Sequence, residues 1–390
     1  MRVLHINTNF NGGAAVAAIR LHTALLSKGV DSHMLFLRGN NLNNLPNIHF
    51  LSDFGNTIQI GLVDKINRAI NYAISIGKPY CFFNRPYSLF KLESLDFIRS
   101  FDIINLHWVV KFINVPTFFN QINKPIVWTI HDMNPFSGGL HYKTGYHSQY
   151  DKLEKKYIKV KRNAYKEKKW AVISPSNWLL NLAKESRVFP DSTNFYNIYN
   201  TIDNQVYKPI KHLGSSNKSF KLLFVADNPT DSRKGFNFLL KSAISLKHLP
   251  IEWNVIGRPF NTSQLQINHL GYKNSDSELV QVYGNSDLFI IPSIEDNLPN
   301  TILESMSCGT PVIGFNSGGI PEIVKSNYNG MIVEQKNELA LAKTIEVSLN
   351  RANIDTWSQN ARSFAIEKFS MQAIASQYID VYNNLISFKI

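Results

Sequence analysis

Two cysteines are few for 390 residues, and Cys81 and Cys308 stand far apart with no metal-type spacing. A disulfide framework or a zinc site is therefore not expected, and a reducing compartment is. No apolar run is long enough to span a bilayer. The opening stretch, MRVLHINTNFNGG, lacks the apolar core and small-residue cleavage site of a signal peptide and reads directly as a strand. These absences predict a cytoplasmic protein and leave its attachment to the inner face of the membrane open. Acidic residues are in the minority, 29 against 41 Lys and Arg, giving a net charge of +12. No zinc finger, RNP-type aromatic strand or clustered basic arm accompanies that charge, so nucleic acid is not expected as a partner. A basic balance suits an enzyme serving anionic donors and lipid-linked acceptors. The densest basic run, residues 152–169, read as a helix puts Leu153, Tyr157, Val160 and Ala164 on one stripe. We read it as a solvated helix with one face on the protein, in preference to one lying on anionic lipid.

A chain of this length predicts two domains. Near-continuous apolar strands alternate with helices. Strands are predicted at 2–7, 32–37, 102–107, 126–130, 171–174 and 195–199, with a helix over about 14–28 ended by Gly29. Residues 42–92 read as helical with loops. Residues 200–220 are polar, hold Pro209, Gly214 and a Ser-Ser-Asn run, and read as a linker. The alternation then restarts, with strands at 221–226, 252–256, 288–292, 312–315 and 330–333. Helices are predicted at 235–247, after residue 300, at 338–351 and at 371–388. Such strands form parallel sheets covered on both faces. The expected fold class is α/β, with two doubly wound Rossmann-like domains facing each other across a cleft. The domains span 1–200 and 201–370, and ligands bind at the carboxyl ends of the strands.

Chemistry concentrates in residues 296–322, DNLPNTILESMSCGTPVIGFNSGGIPE. Two carboxylates, Asp296 and Glu304, flank a turn into a helix and could accept hydrogen bonds from ribose or sugar hydroxyls. The helix start offers free N–H groups to a diphosphate. Gly318 and Gly319 let backbone approach a ligand closely.

The same stretch resembles the nucleotide-binding signature of family 4 retaining glycosyltransferases, which have the GT-B fold. Glu304, the run Ser305 to Val312 and the Gly318-Gly319-Ile320-Pro321-Glu322 loop match that signature, while Asp296 stands where the family has its first Glu. The resemblance implies donor contacts from Asn297, Glu304, Gly318, Gly319 and Glu322. It also implies that helix 371–390 packs back on the first domain. Gly12 and Gly13, after the first strand, correspond to a loop used beside the diphosphate or the acceptor. The run from His131 and Asp132 to Gly138 and Gly139 resembles a bacterial polysaccharide-synthesis subgroup. It puts His131 near the transferred sugar, with Asp132 orienting it or meeting the acceptor. Lys234 matches the family lysine that neutralises the diphosphate. The usual arginine position holds Asp227 or Asn228, leaving Arg233 as the nearest substitute and Arg258 as a further candidate. His107 and Trp108 are equally readable as structural or functional.

Together these imply a metal-independent, retaining glycosyltransferase of hexosyltransferase type with no cofactor. Its donor is a nucleoside-diphosphate sugar and its acceptor a hydroxyl on a saccharide or lipid-linked glycan. His131, Asp132, Lys234 and Asp296 are the expected catalytic residues. A non-catalytic sugar-nucleotide-binding subunit and a GT-B epimerase remain alternatives.

Overall fold

The computed structural model describes residues 1–41, 44–210, 219–260, 266–273 and 275–387. Residues 211–218 of the predicted linker, Leu42 and Phe388 lie outside these. The chain divides into two units, Met1–Tyr199 with Ile374–Ile390, and Asn200–Ala373.

The first unit runs β1 (Arg2–Asn9), α1 (Gly13–Ser27), β2 (Asp31–Arg38), β3 (Ile48–Phe50), α2 (Thr57–Ala73), α3 (Asp96–Arg99), β4 (Ile103–Leu106), α4 (Val115–Gln121), β5 (Ile126–Thr129), α5 (Asp151–Tyr165), β6 (Trp170–Ser174), α6 (Asn177–Ser186) and β7 (Asn194–Asn197). All seven strands are parallel, in the order β3-β2-β1-β4-β5-β6-β7. β4, β5 and β6 are buried along their whole length, which is why their sequences are apolar without alternation. The order reverses between β1 and β4, so their carboxyl ends open the crevice where doubly wound sheets take ligands.

The second unit repeats the plan with β8 (Phe220–Val225), α7 (Phe236–Ser245), β9 (Ile251–Ile256), β10 (Ile267–His269), α8 (Asp276–Gly284), β11 (Leu288–Ile291), α9 (Asn300–Ser307), β12 (Val312–Phe315), α10 (Ile320–Ile323), β13 (Gly330–Val333), α11 (Glu338–Ser348) and α12 (Arg351–Phe369). Its strands are parallel in the order β10-β9-β8-β11-β12-β13, and the order reverses between β8 and β11. The last helix, α13 (Met371–Ser387), belongs to the first unit from Ile374 onward. It buries Ile374, Tyr378, Val381, Tyr382 and Leu385. Tyr382 Oη accepts from Asn105 Nδ2 at 2.7 Å, and Tyr378 Oη lies 3.2 Å from Thr129 Oγ1.

Four features differ from the sequence reading. Residues 42–92 contain a strand, β3. β10 and α12 were not anticipated. The 200–210 part of the predicted linker is packed on the second unit. There Ile202 N donates to Phe369 O at 3.0 Å, and buried Tyr207 donates to Asp276 Oδ1 at 2.7 Å. In α5 the protein-facing side adds buried Lys161 and Tyr165 to the expected stripe, of which Tyr157 is buried and Leu153 and Ala164 are partly buried.

Candidate functional site

In the second unit, three loops at the carboxyl ends of β8, β11 and β12 lock together through glycines. Gly235 has φ +75°, and a Cβ there would sit 1.8 Å from Pro292 O. Gly318 has φ +56°, and its Cβ would fall 1.6 Å from Asp296 O. Only glycine permits either approach. Gly319 N then donates to Asn297 O at 2.8 Å. The packing brings Lys234 to Asp296, with Nζ–Oδ2 at 2.5 Å, and Arg233 Nη1 to the same oxygen at 3.4 Å. Arg233 also donates to Glu295 O at 3.0 Å and meets Asp231 at 3.2 Å. Asp296 is buried. Burial alone would raise its carboxyl, but Lys234 and Arg233 outweigh that and hold it below the usual carboxylate range. Two cations therefore stand at the switch point, balanced for now by a carboxylate.

Glu304 is buried one helical segment further on, in α9, and accepts from Tyr283 Oη at 3.1 Å. Cys308 lies beside it, with burial pushing its thiol up to about 12, which leaves it no nucleophile. Glu322 opens α10, its N–H bonded to Gly319 O at 3.1 Å. Ser293 and Ser317, at the ends of β11 and β12, keep buried hydroxyls with no hydrogen-bond partner. Arg258 pairs with Asp227 at 2.9 Å, just past the carboxyl end of β8.

In the first unit, Gly12 caps α1 with φ +100°, a value that favours glycine, and Gly13 is the helix's first residue. His131, just past β5, heads a ladder of three imidazoles on adjacent strands. His131 Nε2 lies 3.1 Å from His107 Nδ1, and His107 Nε2 lies 3.0 Å from His5 Nδ1. The rings are stacked, with centroids 5.4 and 5.3 Å apart. Burial depresses all three. His131 falls to about 4, so it is a neutral imidazole at neutral pH.

Asp132 and His131 interact electrostatically, and the Asp132 carboxylate is held by three further groups. Its Oδ2 is 2.6 Å from His141 Nδ1 and accepts from Trp108 Nε1 at 3.1 Å, and its Oδ1 accepts from Asn134 N at 2.8 Å. Asp132 thereby fixes the turn after β5, which α5 holds from the other side. Glu154 accepts from Gly138 N at 2.6 Å and Gly139 N at 2.9 Å. Lys161 donates to the carbonyls of Asn134 and Ser137, and Tyr165 Oη to Pro135 O. The basic helix thus serves as the clamp of the His131 turn.

His5, Tyr283 and Lys161 were absent from the sequence reading. A histidine inside the apolar run RVLHIN was the available signal for His5. Nothing local marks Tyr283 or Lys161.

Residues 210–364 match the model of the family described as glycosyl transferases group 1. An uncharacterized glycosyltransferase of Methanocaldococcus jannaschii is 33% identical over 124 residues, which is 30% of this chain and 32% of that protein. The N,N'-diacetylbacillosaminyl-diphospho-undecaprenol alpha-1,3-N-acetylgalactosaminyltransferase of Campylobacter jejuni is 27% identical over 162 residues, 39% of this chain and 42% of that protein. The chain thus spans about a third to two-fifths of the length of these curated relatives. Over nearly the whole chain, the Anabaena Alr3699/HepE structure in complex with UDP-glucose superposes with a TM-score of 0.68 at 16% identity. That superposition covers 98% of this chain and 100% of the other. The fold is GT-B. The group 1 match falls within the GT-B unit that carries Lys234, Asp296 and Glu304.

Proposed function

We propose that the protein is a retaining, metal-independent glycosyltransferase. It moves a sugar from a nucleoside-diphosphate sugar to a hydroxyl of a saccharide or lipid-linked glycan at the inner face of the membrane. The observation that carries the reading is the cluster of Lys234 and Arg233 on buried Asp296, within the stretch that matches the group 1 family. The lipid-linked acceptor is supported by the name of the Campylobacter relative, and the nucleotide-sugar donor by the UDP-glucose complex of the Anabaena structure.

An arriving diphosphate competes with Asp296 for Lys234 and Arg233. As the glycosidic bond to the leaving oxygen lengthens, negative charge grows on that oxygen, and the two cations stabilise it more than they stabilise the ground state. Asp296, freed from Lys234, accepts from sugar hydroxyls, and Glu304 accepts from the ribose or sugar. Backbone at Asn297, Gly318 and Gly319, with Glu322 beside it, lines the donor. Gly12, Gly13 and neutral His131 serve the acceptor-side unit. Asp132 keeps the His131 turn in place.

Lys234→Ala tests this directly. It is expected to lower kcat by about 10²–10³-fold in a protein still folded by circular dichroism, and the anomeric configuration of wild-type product, read by proton NMR, is expected to equal that of the donor. Unchanged kcat in the variant, or inverted product, would refute the role or the stereochemistry respectively.

A further inference from the structure

Helix α2 carries apolar residues on its outer face as well as its inner one. Its Ile58, Leu62, Ile66 and Ile70 recur every fourth residue and form one stripe, and every one of them is exposed, Ile58 at 83% and Leu62 at 59%. The opposite face, turned to the protein, packs partly buried Ile60 and Val63 against the core and buries the polar Asp64, Asn67 and Asn71. A helix on a globular surface normally keeps its outer face polar.

Those polar residues are fully employed. Asp64 accepts from Arg38 at 2.7 Å and meets Arg68 at 3.3 Å. Asn67 Oδ1 accepts from Leu89 N at 3.0 Å, and its Nδ2 donates to Ser88 Oγ at 3.2 Å. Asn71 accepts from Arg85 N at 3.1 Å and donates to Phe83 O at 3.2 Å. These bonds fix the roll of the helix, so the aliphatic stripe cannot turn inward without stranding buried polar groups. The outward stripe is thus a built feature.

What covers it is indicated by charge and by the neighbouring aromatics. Residues 54–91 hold five basic side chains and a single acidic one, Asp64, which is buried and paired. Tyr72, near the end of the helix, is exposed at 70%, and past the helix Ile76 is exposed at 65% and Tyr80 at 87%. Aliphatic residues flanked by lysines, with tyrosines at the margin and the next acid, exposed Asp53, bonded to Phe50 N before the helix, match the layered chemistry of an anionic lipid surface: acyl boundary, headgroup belt and negative phosphate. A protein partner or a second copy would not require that one-sided charge. No helix among the described residues is long and apolar enough to cross a membrane, so the fit is to lying in the interface plane.

We propose that α2 and the segment up to Tyr80 dock the first unit onto an anionic lipid bilayer. This deepens the reading of a lipid-linked acceptor by naming the surface that brings the enzyme to it. It also moves membrane contact away from the basic helix α5, whose inner face is occupied by the His131 turn.

The test is co-sedimentation of the full chain with vesicles of phosphatidylethanolamine and phosphatidylglycerol, against vesicles of phosphatidylcholine alone. Wild type is expected to pellet with the anionic vesicles only, and less so as salt rises. The double variant Leu62→Glu/Ile66→Glu is expected to lose roughly tenfold or more in vesicle affinity with an unchanged thermal midpoint, and Lys65→Glu several-fold. Wild type remaining in the supernatant, or the double variant pelleting as well as wild type, overturns the proposal. So does a lipid-free dimer, seen by sedimentation velocity, that the double variant dissolves, because a second copy would then cover the face. The assay needs neither donor nor acceptor. A protein that pellets but transfers no sugar refutes the functional reading alone. One that transfers sugar to a soluble acceptor but never pellets refutes the docking face alone.

Discussion

Lys161 holds its ammonium against the carbonyl oxygens of Asn134 and Ser137, on the inward side of α5 and out of reach of solvent. Burial lowers its pKa from 10.5 to about 7, with Glu154 and Asp132 pulling the other way. The unfolded chain keeps that proton to about 10.5, whereas the folded chain gives it up near 7. Above pH 7 the unfolded state therefore binds more protons, and stability rises with pH. Urea unfolding between about pH 7 and 9 is expected to show wild type gaining about 1 kcal/mol per pH unit relative to Lys161→Met. Equal slopes in the two proteins would show that Lys161 stays protonated in the fold. The histidine ladder carries the opposite charge logic at the same turn. Three neutral rings in series place no cation beside Asp132, so its carboxylate is left to bind His141 and Trp108.

At the level of elements, α13 joins the first unit through two tyrosine hydroxyls that reach strand residues of the opposite end of the sequence. Tyr382→Phe leaves the buried Asn105 amide without its 2.7 Å partner. It is expected to destabilise the protein by about 1–3 kcal/mol, read as a lower urea midpoint at constant slope, and Tyr378→Phe by less, since Thr129 Oγ1 also donates to Asn105 Oδ1. A Tyr382→Phe protein as stable as wild type would mean the hydroxyl is idle. The central strands were legible because burial on both faces makes them continuous apolar runs, as in IVWT of β5 and LFII of β11. The edge strands β3 and β10 were not. IHF and INH are three residues long and partly polar, and their backbone pairing has no sequence pattern. α12 offered a signal that went unread, since Ile354, Trp357, Ala361, Ala365 and Phe369 recur at helical spacing. The loops after β11 and β12 were legible because their glycines and carboxylates lie within one stretch of 27 residues, 296 to 322. The Lys234–Asp296, Tyr283–Glu304 and His5–His107–His131 contacts could not, because each joins separate segments that only the sheet order brings together.

On the scale of the whole molecule, two parallel sheets of the same winding give two switch points, one edged by Gly12 and the histidine ladder, the other by Lys234, Asp296 and the Gly318 turn. The second lies within the stretch that matches the group 1 family and carries the donor claim. The most direct test of that claim is a calorimetric binding screen of nucleoside-diphosphate sugars in the presence of EDTA, with slow sugar release followed in parallel, on wild type and Glu304→Ala. Wild type is expected to bind one donor and hydrolyse it slowly, and Glu304→Ala, still folded by circular dichroism, is expected to lose both. A folded wild type that binds no donor, or a Glu304→Ala protein that binds it as tightly as wild type, would contradict the assignment of this site.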